Sequence, residues 1–299
     1  MKIGIVGLGS MGYGMAASLL RAGHEVVGSD VNDAQVQRLR SEGGSAENLA
    51  AAAPGLDAVV IVVLNAQQTE QVLFGDDGIV PRLPEGAVVI TCVTVAPDFA
   101  RSAAERCSAR NLHFLDAPIS GGSVKAANGK LSIMASGTPD AFARARPALD
   151  AMAETVFELG DAAGSGSAMK AVNQMLAGIH IAAMAEALTF GITQGISAEA
   201  FMTVIPRCAG TSWMLENRAP HVVAGDYTPH SAVDIWPKDL GIVLDVAATA
   251  GFTAPIATAA LQQFVATSKM GLGREDDAAI AKLYARDAGI TLPSGSAQA

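Results

Sequence analysis

Aromatic residues make up only 5% of this 299-residue chain, and charged residues only 16%. Cysteine occurs three times, at Cys92, Cys107 and Cys208, without CxxC spacing. An odd, unpaired set excludes a disulfide framework and a cysteine-bound metal, so the thiols are expected to be reduced and the protein cytoplasmic. The first apolar run is one strand long and leads into a glycine turn, so it does not read as a signal peptide. No basic block offsets the net charge of −9, which argues against a nucleic-acid partner. Internal repeats are missing too. What fills the chain is alanine, glycine and aliphatic residues: half of it is hydrophobic, enough for a large core or two smaller ones. The apolar stretch 171–196 has the length of a membrane span. Asn173, Gln174, His180, Glu186 and Gln194 interrupt it, so it reads as a buried helix and no membrane partner is expected.

Residues 1–30 hold the strongest local pattern. A strand, Lys2-Ile3-Gly4-Ile5-Val6, runs into Gly7-Leu8-Gly9-Ser10-Met11-Gly12, then a helix, then the strand Glu25-Val26-Val27-Gly28-Ser29 closed by Asp30. This is the βαβ context of a dinucleotide site, in which the glycines allow a tight turn and close approach of a pyrophosphate to the helix amides. An incidental glycine turn beside a surface aspartate is the bland alternative. Asp30 accepts hydrogen bonds from ribose hydroxyls but repels a 2′-phosphate. The first arginine, Arg38, falls well into the next helix, so NAD is favoured over NADP.

Further along, 58–64 and 87–90 are continuous apolar runs of the kind buried on both faces of a parallel sheet. Helical patterns at 34–40, 67–72 and 97–109 separate them. Strands are expected at 113–116 and 131–137; with no helix evident between them, one is free to pair antiparallel. The sequence then changes character at Gly160-Asp161-Ala162-Ala163-Gly164-Ser165-Gly166, and from 167 a single helix runs to about 194. Helices are expected at 198–205, 238–250, 255–270 and 278–284. The predicted fold is α/β: a Rossmann-type doubly wound sheet over 1–162, a long interdomain helix over 163–196, an all-α domain over 197–292, and a flexible tail over 293–299.

Lys170 is the only lysine or arginine between residues 162 and 206, and its neighbours are overwhelmingly apolar. Such surroundings disfavour the ammonium form and suit a group that exchanges a proton with a substrate hydroxyl. A lysine in a first helical turn can instead snorkel to water. Asn173 lies three residues on, on the same helical face. The run Asp116-Ala117-Pro118-Ile119-Ser120-Gly121-Gly122-Ser123 offers hydroxyls and amides for a carboxylate, or simply a tight connection between strands. Lys238 follows Trp236-Pro237 at a helix start, where a cation opposes the helix dipole and so calls for a ligand or solvent to explain it. Ser212, Trp213, Asn217, Arg218 and His221 form a polar-aromatic group able to complete a pocket, with packing an equal alternative for Trp213.

With GLGSMG, DAPISGG, GSGSAMKAVNQ and KDLGIVLD in that order, the chain resembles the β-hydroxyacid dehydrogenases, a family that includes 3-hydroxyisobutyrate dehydrogenase and tartronate semialdehyde reductase. The resemblance covers about residues 1–292. It implies that Lys170 is catalytic with Asn173 assisting, and that Ser120, Gly121 and Gly122 bind a substrate carboxylate, with Trp213 and Lys238 nearby. Gly7, Leu8, Gly9, Ser10, Met11, Gly12, Asp30, Leu64, Thr94 and Lys238 would contact NAD. The family implies a homodimer or homotetramer. The segments 212–218, 225–229 and 231–235 resemble members that oxidise a polyhydroxylated four-carbon acid at C2. Oxidation or reduction at C3 is the enzymatic alternative, and a non-catalytic NAD(H) sensor is the alternative outside enzymes.

Overall fold

The computed structural model describes residues 1–294, and the chain divides into two compact units, Met1–Lys170 and Ala171–Ala299. Beyond Ser294 the expected tail lies outside the described residues. In the first unit five strands form a parallel sheet: β1 (Lys2–Val6), β2 (Glu25–Ser29), β3 (Ala58–Ile61), β4 (Val88–Thr91) and β5 (His113–Asp116), in the order β2-β1-β3-β4-β5. Alternate side chains feed two cores. Ile3, Ile5, Val60, Ile90 and Leu115 enter one, while Val6, Val59, Ile61, Val89 and Phe114 enter the other. The central strands β3 and β4 are buried on both faces, which is why 58–61 and 88–90 read as unbroken apolar runs.

Connections between the strands are helical: α1 (Gly12–Arg21), α2 (Asp33–Ser41), α3 (Leu49–Ala52), α4 (Ala66–Phe74) and α5 (Pro97–Ser108). Asn32, Asn48 and Asn65 cap α2, α3 and α4 by accepting from backbone N–H groups, and Pro97 opens α5. After β5 a second, three-stranded sheet forms from β6 (Ile119–Ser120), β7 (Leu131–Ala135) and β8 (Ala153–Glu158), interleaved with α6 (Gly122–Ala127) and α7 (Pro139–Met152). β6 pairs antiparallel with β7 although α6, unexpected from the sequence, lies between them, and β8 pairs parallel to β7. Sequence patterning did not anticipate α3, α6, α7 or β8.

The helix α8 (Ser165–Thr193) contains 29 residues and is roughly 43 Å long. The division between units falls within it, after Lys170. By length and composition alone it could cross a membrane. In the second unit, however, its Ile181, Met184, Ala185 and Leu188 are buried in a core shared with α9 (Ala198–Val204), α10 (Trp213–Ala224), α11 (Ile235–Thr249), α12 (Pro255–Thr267) and α13 (Ile280–Ala288). Trp236 stacks on Phe264 there, ring centroids 5.4 Å apart. α11 begins three residues earlier than expected, so Lys238 sits in its fourth position.

Candidate active site

All five parallel strands end on one edge of the sheet, and the predicted cofactor contacts follow their ends: 7–12 after β1, Asp30 after β2, Leu64 after β3 and Thr94 after β4. In an open α/β sheet ligands bind outside that edge, where the strand order reverses. Gly7 has φ +94°, and a Cβ there would strike the carbonyl of Val62. A Cβ on Gly12 would strike the carbonyl of Gly7. At Gly9 a Cβ would meet nothing within 4 Å, so what its absence provides is access to the backbone, the feature a pyrophosphate requires. Leu8 is buried beneath the turn and Ser10 stands exposed at its crest. Met11 precedes α1, and no side chain caps that helix, which suits a site where phosphate oxygens take its N–H groups. Leu64 is exposed and Thr94 half-buried.

Asp30 is held by two backbone amides. The Leu8 N–H donates to Oδ2 at 2.6 Å and the Asn32 N–H to Oδ1 at 2.7 Å. Each oxygen retains a lone pair for a ribose hydroxyl. A cavity of about 550 Å³ opens here, lined by Leu8, Ser10, Tyr13, Asp30, Arg38 and Ser123 among others. An aimed carboxylate, an open glycine backbone and an uncapped helix start fit the adenosine and pyrophosphate parts of NAD. Tyr13, Arg38 and Ser123 were missed as wall residues. No spacing signal marked Arg38: five residues beyond Asp33 is about 1.4 turns, a different face of α2.

The second half of the site is built on Asp116, the fully buried last residue of β5. Its Oδ2 accepts from the Gly164 N–H at 3.0 Å and the Ser167 N–H at 2.8 Å, and its Oδ1 from the Ser167 hydroxyl at 2.7 Å. The Ser136 hydroxyl donates to Oδ2 at 3.4 Å and accepts from the Gly166 N–H at 2.9 Å. Burial pushes the Asp116 carboxyl up, while the hydrogen bonds from Ser167, Gly164 and Ser136 pull it down. A negative group at a helix amino terminus also meets the favourable end of the dipole. Asp116 therefore fastens the start of α8 to the end of β5. Sequence reasoning placed the substrate loop in this motif but missed that role; the available signal was an acid closing an apolar strand, since a buried charge is almost always partnered.

One turn into α8, Lys170 is 8% exposed and its Nζ donates to the Ile119 carbonyl at 2.8 Å. It does not snorkel to solvent. Ile119 directly precedes Ser120, Gly121 and Gly122, so the lysine and the predicted carboxylate loop are brought together within the first unit. Gly121 and Gly122 have φ of +136° and +76°, a backbone path closed to most residues with a Cβ. The loop continues into α6, which lies against α1 at Gly14, where a Cβ would come within 2.6 Å of the Ala127 nitrogen. The glycine turn and the Ser-Gly-Gly loop thus share one packed wall.

In the second unit, Asn173 Nδ2 donates to Gln174 Oε1 at 2.9 Å, Gln174 Nε2 donates to Asp239 Oδ2 at 2.5 Å, and Lys238 Nζ lies 2.6 Å from Asp239 Oδ1. This continuous chain ties the two polar residues predicted there to each other through two buried ones. Trp213, the first residue of α10, is 61% exposed, so packing within its own unit does not explain it. Arg218 and His221 are engaged internally: Arg218 pairs with buried Asp277, which also accepts from Trp236 Nε1 at 2.9 Å, and His221 Nδ1 lies 2.8 Å from Asp276 Oδ1. Their work is to fasten α10 to residues 276–277 rather than to complete a pocket.

Residues 2–160 match the NAD-binding domain of 6-phosphogluconate dehydrogenase, and residues 164–284 match the NAD-binding domain of NADP-dependent 3-hydroxyisobutyrate dehydrogenase. The L-threonate dehydrogenase of Escherichia coli K12 is 47% identical over 97% of this chain and 96% of its own length. That of Cupriavidus necator is 46% identical over 98% of each chain. A crystal structure of 3-hydroxyisobutyrate dehydrogenase from Salmonella typhimurium superposes with a TM-score of 0.89 at 47% identity, covering 95% of this chain and 99% of that one. The chain belongs to the β-hydroxyacid dehydrogenase family, the group related to 3-hydroxyisobutyrate dehydrogenase. Within that class it is an NAD-dependent dehydrogenase of small hydroxy acids.

Proposed function

We propose that the protein oxidises L-threonate to 2-oxo-tetronate. The observation that carries the chemistry is Lys170, buried and hydrogen-bonded to the carbonyl that precedes the Ser120-Gly121-Gly122 loop. The choice of substrate is supported by relatives named L-threonate dehydrogenase, 42–47% identical over nearly the whole chain. Bound NAD supplies the hydride acceptor at its nicotinamide ring. The substrate carboxylate lies on the amides and hydroxyl of residues 120–122, and Lys170 Nζ, unprotonated, takes the C2 hydroxyl proton as the C2–H bond gives up its electron pair. A C2 ketone forms, and the proton later leaves the ammonium for water. In reduction the ammonium returns it.

Asn173 orients the lysine or the substrate, Lys238 and Trp213 contact the substrate, and Lys238 also approaches the cofactor; these roles rest on the matching motifs. Residues 7–12, Asp30, Leu64 and Thr94 hold the cofactor. We further propose a homodimer or homotetramer, for which the exposed Val172, Leu176 and Phe190 on α8 are support, and a cytoplasmic setting, consistent with three unpaired cysteines. Initial rates of NAD reduction with L-threonate, D-threonate, D-erythronate, D-glycerate, 3-hydroxyisobutyrate and L-serine test the substrate. A preference for L-threonate is expected; a preference for 3-hydroxyisobutyrate moves the oxidised carbon to C3. Lys170→Ala should cut turnover by ~10²–10⁴ while NADH still binds, and near-wild-type turnover would remove Lys170 from the mechanism.

A further inference from the structure

The sequence sets Arg38 apart from Asp30, yet the two side chains line the same cavity. α2 follows β2 after Asp30 and lies against α1, and the guanidinium carbon of Arg38 comes to rest 4.0 Å from the centroid of the Tyr13 ring. Its Nε donates to Glu42 Oε1 at 3.2 Å, an ion pair between residues four apart. Burial, reinforced by the Glu42 carboxylate, pushes the Tyr13 phenol up to about 12, so the ring beneath the guanidinium stays neutral. A cation over such a ring is held by the quadrupole of its face.

An arginine beside a ribose-binding acid poses a conflict. Asp30 repels a 2′-phosphate, whereas an available arginine attracts one. Arg38 is not equally available in every direction: Tyr13 takes one face of its plane, and Glu42, in an exposed ion pair, takes one edge. A guanidinium stacked on one face and engaged at one edge is a poorer phosphate clamp and still a good stacking surface.

We propose that Arg38 is the adenine platform of this site, and that Tyr13 and Glu42 hold it in that role, so that selection of NAD over NADP is set by the Tyr13–Arg38–Glu42 group as well as by Asp30. The inference rests on the adenosine end of the cofactor occupying this cavity. It makes Glu42, which does not line the cavity, a positioning residue for cofactor choice. Releasing its edge contact should free Arg38 to meet a 2′-phosphate, although Asp30 remains.

Fluorescence titration of NADH and NADPH against the full-length protein tests this without turnover. Glu42→Gln should tighten NADPH binding about fivefold to tenfold and change NADH binding much less, because one fixed charge has been removed from the arginine. Arg38→Leu should weaken NADH binding about tenfold, through lost stacking, and should cancel the NADPH gain when combined with Glu42→Gln. An unchanged NADPH-to-NADH ratio in Glu42→Gln would overturn the proposal, as would wild-type NADH affinity in Arg38→Leu. Asp30→Ala separates the two levels of the argument. If it leaves NADH binding intact, the adenosine end does not lie in this cavity, and the underlying placement falls rather than the role of Glu42 alone. A general structural defect would weaken both nucleotides alike and leave their ratio unmoved.

Discussion

Removing the Asp116 carboxylate tests how the active lysine is positioned. In Asp116→Ala the N–H groups of Gly164 and Ser167 lose their acceptor in a buried site, while the Ser167 hydroxyl can turn elsewhere. Each orphaned buried donor costs about 1–3 kcal/mol. Relief from burying a charge, the same cause that pushes the Asp116 carboxyl up, offsets part of that sum. The net loss should be about 2–5 kcal/mol. Asp116→Asn keeps the shape and can keep its oxygen where Oδ2 now accepts three donors, and Ser167 can reverse its hydroxyl to meet the new amide. That variant should lose no more than about 1 kcal/mol. Calorimetric unfolding would read the contrast as a drop in melting temperature of roughly 5–15 °C for alanine against roughly 3 °C or less for asparagine. Turnover should follow the same order, because Lys170 begins one turn beyond the fastened segment. Equal losses in the two variants would refute the assignment of Asp116 as the acceptor that anchors α8.

Other consequences can be checked separately. Gly7→Ala forces a Cβ against the Val62 carbonyl at φ +94°, and backbone cannot swing aside; NADH affinity should fall by at least about tenfold, measured by fluorescence titration. Although burial acts to raise Asp276, its bonds from the His221 ring and from the His230 and Ala278 N–H groups bring it down to about 2. A carboxyl lowered from its unfolded value contributes stability that is complete above about pH 4 and is lost as pH falls through about 2. The stability gap between wild type and Asp276→Asn should therefore be constant between about pH 4 and 5 and narrow toward pH 2, as followed by denaturant unfolding. A gap that stays flat to pH 2 would contradict the lowered value.

Much of this architecture is legible because its signals are strong and local. Strands buried on both faces leave unbroken runs such as 58–61 and 88–91, and α8 announces itself as a long apolar stretch broken only by helix-compatible polar residues. Lys170 stands out because no other basic residue surrounds it. β8 escaped notice because most of its side chains are exposed or half-exposed, so it carries neither an apolar run nor a clean alternation. α10 hid behind Pro220 and a polar face whose Arg218 and His221 are spent on internal acids, a pairing that only tertiary structure reveals. α7 was readable in hindsight from Thr138, which caps it, followed by Pro139. The reach of Arg38 was misjudged because its long side chain turns over Tyr13 into the cavity of Asp30, a contact that only tertiary structure reveals.

The central claim is that Lys170 serves an oxidation at C2. L-Threonate deuterated at C2, turned over with NAD and followed by mass analysis of both products, examines it most directly. The account predicts NADH one mass unit heavier, 2-oxo-tetronate without deuterium, and the same label transfer at a rate lower by ~10²–10⁴ in Lys170→Ala. Unlabelled NADH with deuterium kept in the acid product would contradict it and place the reaction at another carbon.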